Sequence, residues 1–254
     1  MTVREHTDTQ VSTADLTLRQ RRLLRRAAYP ALLTAILGPI VVTFVAGARL
    51  PPDNADGHLY LGYALAHRTG EVQSLVFMLT VVAMAGFVAA LGVVYAERSG
   101  RPAFPAVTMI GCAAAFVALQ FLASSCNLTL TLLGNGYPSF EADPSAPLIT
   151  TALWDLTNVV VTVGYLPFVI AMFAAVTANR ADPILPRLLA GPIAVVAAVL
   201  AGIVLITSLF VGTGDFTPMS LYSGALSSVP ISLWLAAVGV AVLWRTRSAR
   251  SAAA

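Results

Sequence analysis

The chain has 254 residues, 57% of them hydrophobic and 11% charged, with a mean hydropathy of +0.80. A soluble domain carries roughly 25% charged residues, so composition excludes that class and points to an all-α, polytopic membrane bundle of single-domain size. The net charge is +3 and all fifteen basic residues are Arg; they gather at the edges of apolar runs, where membrane topology accounts for them, so no nucleic-acid partner is implied.

Residues 1–26 are polar and end in RQRRLLRR, which reads as a solvated basic arm on the cytoplasmic side. Six apolar runs follow, at about 28–48, 72–96, 103–133, 147–178, 188–212 and 220–244, each meeting the requirement of about 20 residues per span. The first is too long for the apolar region of a cleaved signal peptide, about 7–15 residues, and is taken as a retained span. The third and fourth exceed a perpendicular crossing and must tilt, kink or project. Together 27–245 form the expected transmembrane domain of six helices, with 246–254 as a short tail.

Arginine sets the orientation. With the N-terminus inside, thirteen Arg fall on the cytoplasmic side and only Arg49 and Arg68 outside, a positive-inside pattern that leaves both termini cytoplasmic. Between the first two spans, 49–71 opens with Pro51-Pro52. It continues into HLYLGYALAHRTGE, a short amphipathic segment that presents Leu59, Tyr60 and Tyr63 to the bundle or the interface. It is either an interfacial connector or a lid over an outward-facing pocket. Tyr95, Tyr137, Tyr222 and Trp244 sit at span ends and read as belt residues.

Three spans carry polar side chains at helical spacing. The third has Gln120, Ser124, Asn127 and Thr131; the fourth has Thr151, Asp155, Asn158, Thr162 and Tyr165; the last has Ser220, Ser223 and Ser227, with Trp234 seven residues on. At 1.5 Å per residue, Ser124 to Asn127 lie roughly 9–13 Å outward of mid-span and Asp155 roughly 10 Å outward. The serines of the last span share that outer half. Asp155 is the one charge set well inside an apolar run, and an intramembrane carboxylate is a functional-site hypothesis by default. Hydroxyls and amides also glue membrane helices, at on the order of 0.6 kcal/mol each, so glue and pocket are both open readings of the stripes. Trp154 walls the pocket or belongs to the aromatic belt. Cys112 and Cys126 are 14 positions apart on one helix, roughly 21 Å, too far for a disulfide. No cofactor motif and no metal-type Cys/His spacing occurs, and the three histidines lie outside the runs.

The layout resembles a group of uncharacterised six-span actinobacterial membrane proteins of the DUF4386-like type. LWDLTN at 153–158 and ADPILPRLLAGPIAVVAAVLAG at 181–202 carry the resemblance. Leu188 and Leu189 stand where aromatic residues are expected after the Leu-Pro-Arg step. The resemblance implies a bacterial plasma membrane location and no agreed activity, substrate or catalytic residue.

These features lead to three functional expectations. In the first, an outward-facing polar pocket binds a small lipophilic molecule, with Asp155 as its key group and Asn158, Asn127, Ser124, Gln120, Thr151, Trp154, Ser223 and Ser227 around it. An enzymatic version makes Asp155 the proton donor or base of an isoprenoid cyclase or isomerase. The second is an export permease component without its own ATPase, and the third a non-catalytic membrane partner in which Asp155 is glue. The sequence sets no oligomeric state.

Overall fold

The computed structural model describes residues 16–46, 57–66, 70–100, 103–137, 139–211 and 221–251. They form helices α1 (Leu18–Ala46), α2 (Gly57–Ala66), α3 (Gly70–Ser99), α4 (Phe104–Gly136), α5 (Ala146–Ala181), α6 (Ala194–Val211, entered through a π-helical turn at Leu189–Ile193) and α7 (Leu221–Ser251), with no strand among the described residues. Pro105 and Pro147 lie in the first turns of α4 and α5, where the missing N–H costs no intrahelical bond.

Within α3 to α7, five stretches are long and apolar enough to cross a membrane: Ser74–Ser99, Phe104–Gly134, Ala146–Ala181, Leu189–Phe210 and Leu226–Thr246. They mark the chain as an integral membrane protein. Large apolar side chains also face outward on all five, as Leu79, Leu122, Ile170, Ile203 and Leu233 do. Helices apolar on every side belong in lipid. The run 28–48 falls mostly on α1, where described side chains end at Ile36.

Each long helix packs on its successor and α7 returns to α1, so the six long helices close a ring. The short α2 lies against α5 and α4. Side-chain bonds fix one end of this ring, where α1 begins and α3, α5 and α7 finish. Gln20 of α1 donates to Glu97 of α3 at 3.2 Å, and Arg19 pairs with the same carboxylate at 3.3 Å. Arg98 grips Asp182 with two bonds of 2.5 and 2.8 Å, joining α3 to the end of α5.

The basic arm differs from expectation. Residues 18–26 are the first turns of α1 rather than a separate arm, with Arg19, Arg22 and Arg26 exposed. Thr17 and Gln20 form a reciprocal cap, with the Gln20 N–H donating to Thr17 Oγ1 and the Thr17 N–H to Gln20 Oε1, which satisfies two otherwise orphaned donors. Leu24 is buried at 1% exposure between the arginines and anchors the turn to the core. Residues 1–15 lie outside the described set.

The entry to α6 shows how backbone groups freed by proline are reused. Pro192 has no N–H for the Leu188 carbonyl, which takes the Ile193 N–H at 3.1 Å instead. That shift frees the Leu189 carbonyl, and Trp234 Nε1 of α7 donates to it at 2.9 Å. Trp234 is therefore a buried structural residue of the α6–α7 contact.

Candidate functional site

Helices α4 and α5 run antiparallel in close contact, and their pairings set a register. Phe116 meets Tyr165 and Phe168, with ring centroids 5.7 and 5.1 Å apart. One turn further from the arginine-rich end, Gln120 Nε2 donates to the Val161 carbonyl at 3.0 Å. Extending the register brings Ser124 level with Thr157, and Asn127 level with Trp154 and Asp155. The expectation that the polar stripes of the third and fourth spans share one depth agrees with this packing.

Gln120 is fully buried and Ser124 is 4% exposed. Neither Gln120 Oε1 nor Ser124 Oγ has a hydrogen-bond partner among the described residues. The amide cannot simply be turned over, because Nε2 is the atom that must face the Val161 carbonyl. Room for the amide is made at Gly164 of α5, where any Cβ would collide with Gln120 Nε2. Below this pair, toward the arginine-rich end, the aromatic contacts of Phe116 close the seam.

Ser124 is an exception among its neighbours. On α4, Ser125, Thr129 and Thr131 donate to carbonyls four residues back, and Thr150, Thr151, Thr157 and Thr162 do so on α5. Their protons are spent within their own helices. The Thr151 hydroxyl, expected at the pocket, is thus available only as an acceptor. Asn127 is half-buried and donates to Ser74 Oγ of α3 at 3.2 Å, an interhelical bond.

Asp155 stands apart from this buried pair. On an α-helix it lies about 40° round from Thr151 and 60° from Asn158, turned away from the α4 contact. It is exposed together with Ala152, Leu156 and Val159. The stripe was expected to carry the carboxylate into the bundle; in the folded chain it reaches the flank of the seam. Asn158 is half-buried between these faces. No hydrogen bond or ion pair joins Asp155 to any described residue; Arg49 and Arg68, the two arginines expected on the outer side, lie outside them.

Helix α2 covers the part of α5 remote from the arginine-rich end. Tyr60 is 3% exposed and stacks on Trp154, with centroids 5.3 Å apart and planes inclined at 22°. At Gly57 a Cβ would run into the backbone carbonyl of Pro147 and the Thr151 hydroxyl. This contact packs the segment on α5, and it assigns Trp154 to the α2–α5 packing. The Tyr63 side chain lies outside the described residues.

Of the stripe Ser220, Ser223 and Ser227 on the last span, only the Ser227 side chain lies among the described residues. Ser227 is buried, but α7 packs chiefly on α1 and α6; the Ser223 side chain lies outside the described residues. Tyr95 also departs from the belt role: it is 3% exposed and its hydroxyl donates to Asn179 Oδ1 at 2.8 Å. The same oxygen accepts the Ile184 and Leu185 N–H groups at 2.9 and 2.7 Å, and Nδ2 donates to the Leu185 carbonyl at 3.2 Å. Asn179 and Asp182 escaped sequence reasoning because they sit where an apolar run meets a polar turn. Asn followed by Asp-Pro was the available signal, and it reads equally as an ordinary helix stop.

No family model, curated protein or solved structure matches this chain.

Proposed function

We propose that the protein is a six-span bacterial plasma-membrane protein, both termini cytoplasmic, that binds a small neutral lipophilic molecule through a hydroxyl group in the outer half of the α4–α5 seam. The carrying observation is the pair of buried, unpartnered atoms Gln120 Oε1 and Ser124 Oγ, one helical turn apart. A buried polar atom without a partner costs about 1–3 kcal/mol, and a hydroxyl head would satisfy both. The amide oxygen only accepts, so the ligand must donate to it; the serine hydroxyl can give or take. An anionic head would offer Gln120 nothing and would be repelled by Asp155. An apolar tail would leave between α4 and α5 toward lipid, and α2, with its Tyr60–Trp154 stack, covers the outer approach.

In this reading Asp155 stands at the mouth of the site and is not its acid catalyst. The isoprenoid chemistry considered from sequence is retained only as ligand class, with a neutral isoprenoid alcohol as the representative. The kinship with the DUF4386-like six-span group belongs to the same proposal; the Leu-Pro-Arg step before α6 supports it, and it assigns no activity. Photo-crosslinking of the full chain in lipid nanodiscs with a diazirine analogue of farnesol tests the reading. Labelling of α4 and α5 that farnesol outcompetes and farnesyl acetate does not is expected. Equal competition by the two would remove the hydroxyl requirement and with it the proposal.

A further inference from the structure

The long helices of the ring are not tied together equally. Gln20 of α1 bonds Glu97 of α3, Tyr95 of α3 bonds Asn179 of α5, and Gln120 of α4 bonds the Val161 carbonyl of α5. Helix α7 reaches the segment that leads into α6: Arg245 donates to the Ile184 carbonyl at 3.0 Å and Trp234 to the Leu189 carbonyl at 2.9 Å. Beyond that segment the ties stop. Among the described residues, no side-chain hydrogen bond or ion pair links Ala194–Val211 to another helix; the Thr207 and Ser208 hydroxyls donate to Ile203 and Leu205 of α6 itself. The buried face of α6 is largely alanine, at Ala194, Ala197, Ala198 and Ala201, and so short a side chain makes few contacts to hold a neighbour.

The backbone breaks where the ties end. Gly191 sits at φ −122° and ψ −109°, outside the helical range, in the middle of the π-helical turn. The Ile193 N–H bonds five residues back, to Leu188, and the Ala194 N–H three back, to Gly191. The regular four-residue ladder is thus interrupted on both sides of Pro192. A proline and a π-turn are established causes of a sharp bend, and hinges are a few residues at the end of an element. A methyl added at Gly191 would meet nothing within 4 Å, so no neighbouring atom braces that side of the break. The residues before it are fixed, because Asn179 Oδ1 accepts the Ile184 and Leu185 N–H groups and α7 holds the Ile184 and Leu189 carbonyls.

We propose that α6 is a hinged lateral gate in the wall of the ring. Residues up to Ala190 stay with the bundle, and α6 swings about Gly191 and Pro192 as one rod. Its alanine face then slides off α5, where Gly202 lies against Val169. The 18 residues of α6 span about 27 Å, so a swing of about 15° carries the far end about 7 Å. The wall opens toward lipid at the end remote from the arginines, and what it admits from that side is an apolar chain. The hinge rests on backbone and bonding alone and does not require the seam ligand.

Double electron–electron resonance on the full chain in lipid nanodiscs tests this, in a Cys112→Ala/Cys126→Ala background. One spin-label pair joins Leu132→Cys on α4 to Phe210→Cys at the far end of α6; the other joins Leu132→Cys to Leu188→Cys before the hinge, and all three sites are exposed. The first pair should give two distances that differ by about 5 Å or more, and the second a single narrow one. Gly191→Ala/Pro192→Ala, which restores an N–H and favours a continuous helix, should merge the two distances of the first pair into one. The two label pairs decide the matter even if that double variant fails to fold. A single narrow distance for the first pair, without the hinge substitutions, overturns the proposal. So does equal spread in both pairs, which means that the whole bundle breathes, or two distances that persist in the double variant, which places the motion elsewhere.

Discussion

The two ends of the α4–α5 pair handle buried polar groups in opposite ways. At the arginine-rich end, Asn179 uses its amide on four partners: it accepts from the Tyr95 hydroxyl and two backbone N–H groups and donates to a carbonyl. Arg98 and Asp182 close the same corner with two bonds. Toward the other end, Gln120 makes one bond and leaves its oxygen bare, and Ser124 leaves its hydroxyl bare. Both amides are buried, so burial alone does not separate scaffold from site. Completeness of hydrogen bonding does: a satisfied network specifies the fold, whereas an orphaned buried group calls for an occupant.

Substitutions at the two ends should therefore differ in sign as well as size. The largest effect is expected for Asn179→Ala. It strips the acceptor from three donors, each costing about 1–3 kcal/mol if left unpaired, so a loss on the order of 3 kcal/mol or more should appear as a large fall in unfolding temperature. A loss below about 1 kcal/mol would mean that the corner repacks freely and that the contrast between the ends is not energetic. Next is Gly164→Ala. The new methyl must displace the Gln120 amide, and overpacking of this kind costs about 1–3 kcal/mol. Pairing it with Gln120→Ala should recover most of that loss, because the colliding group is gone; a full penalty in the double variant would place the strain elsewhere.

Ser124→Ala should be neutral or slightly stabilising in the ligand-free chain, since it removes a hydroxyl that has no partner and shortens nothing that packs. A loss above about 1 kcal/mol, within the range of a made hydrogen bond, would show that the hydroxyl is glue. Asp155→Asn should change stability by no more than about 0.5 kcal/mol, as expected for an exposed side chain away from any network; a larger loss would tie the carboxylate to the fold.

The smallest effect concerns the turn that opens α5. The Ser145 hydroxyl donates to Asp143 Oδ1 at 2.6 Å, and its backbone N–H does so at 2.8 Å. These bonds, the hydroxyl's first, hold the Asp143 carboxyl below its ordinary 3.8. Because the folded value lies below the unfolded one, the contribution is present above the unfolded value and is lost as pH falls through the folded one. Ser145→Ala removes the first cause, so the Asp143 titration followed by NMR should move up toward the ordinary range. No movement would show that the hydroxyl bond does not form in solution.

Much of the architecture was legible from periodicity and composition. The apolar runs at 103–133 and 147–178 differ from α4 and α5 by only a few residues at each end, because run length and proline placement act locally. The common level of the α4 and α5 stripes was legible for the same reason, since rise per residue is fixed. Which way a side chain points across a helix pair was not. Asp155, Thr151 and Asn158 lie within 60° of one another, and only the packing of α4 decides which of them is covered. The helical start of α1 was not read because Arg-rich composition points to an arm, while Thr17, Gln20 and Leu24 cap and anchor a helix whose Arg19, Arg22 and Arg26 are exposed. Trp234 and Tyr95 were equally beyond the sequence, because their partners lie 45 and 84 positions away.

The central claim is that the bare atoms of Gln120 and Ser124 receive a ligand hydroxyl. Its most direct measurement is equilibrium binding of tritiated farnesol to the full chain in nanodiscs, compared with the Gln120→Leu/Ser124→Ala double variant at matched folding. The account predicts saturable binding by the native chain and at least a tenfold weaker affinity in the double variant, with unfolding temperature unchanged or raised. Identical binding by the two proteins would contradict it.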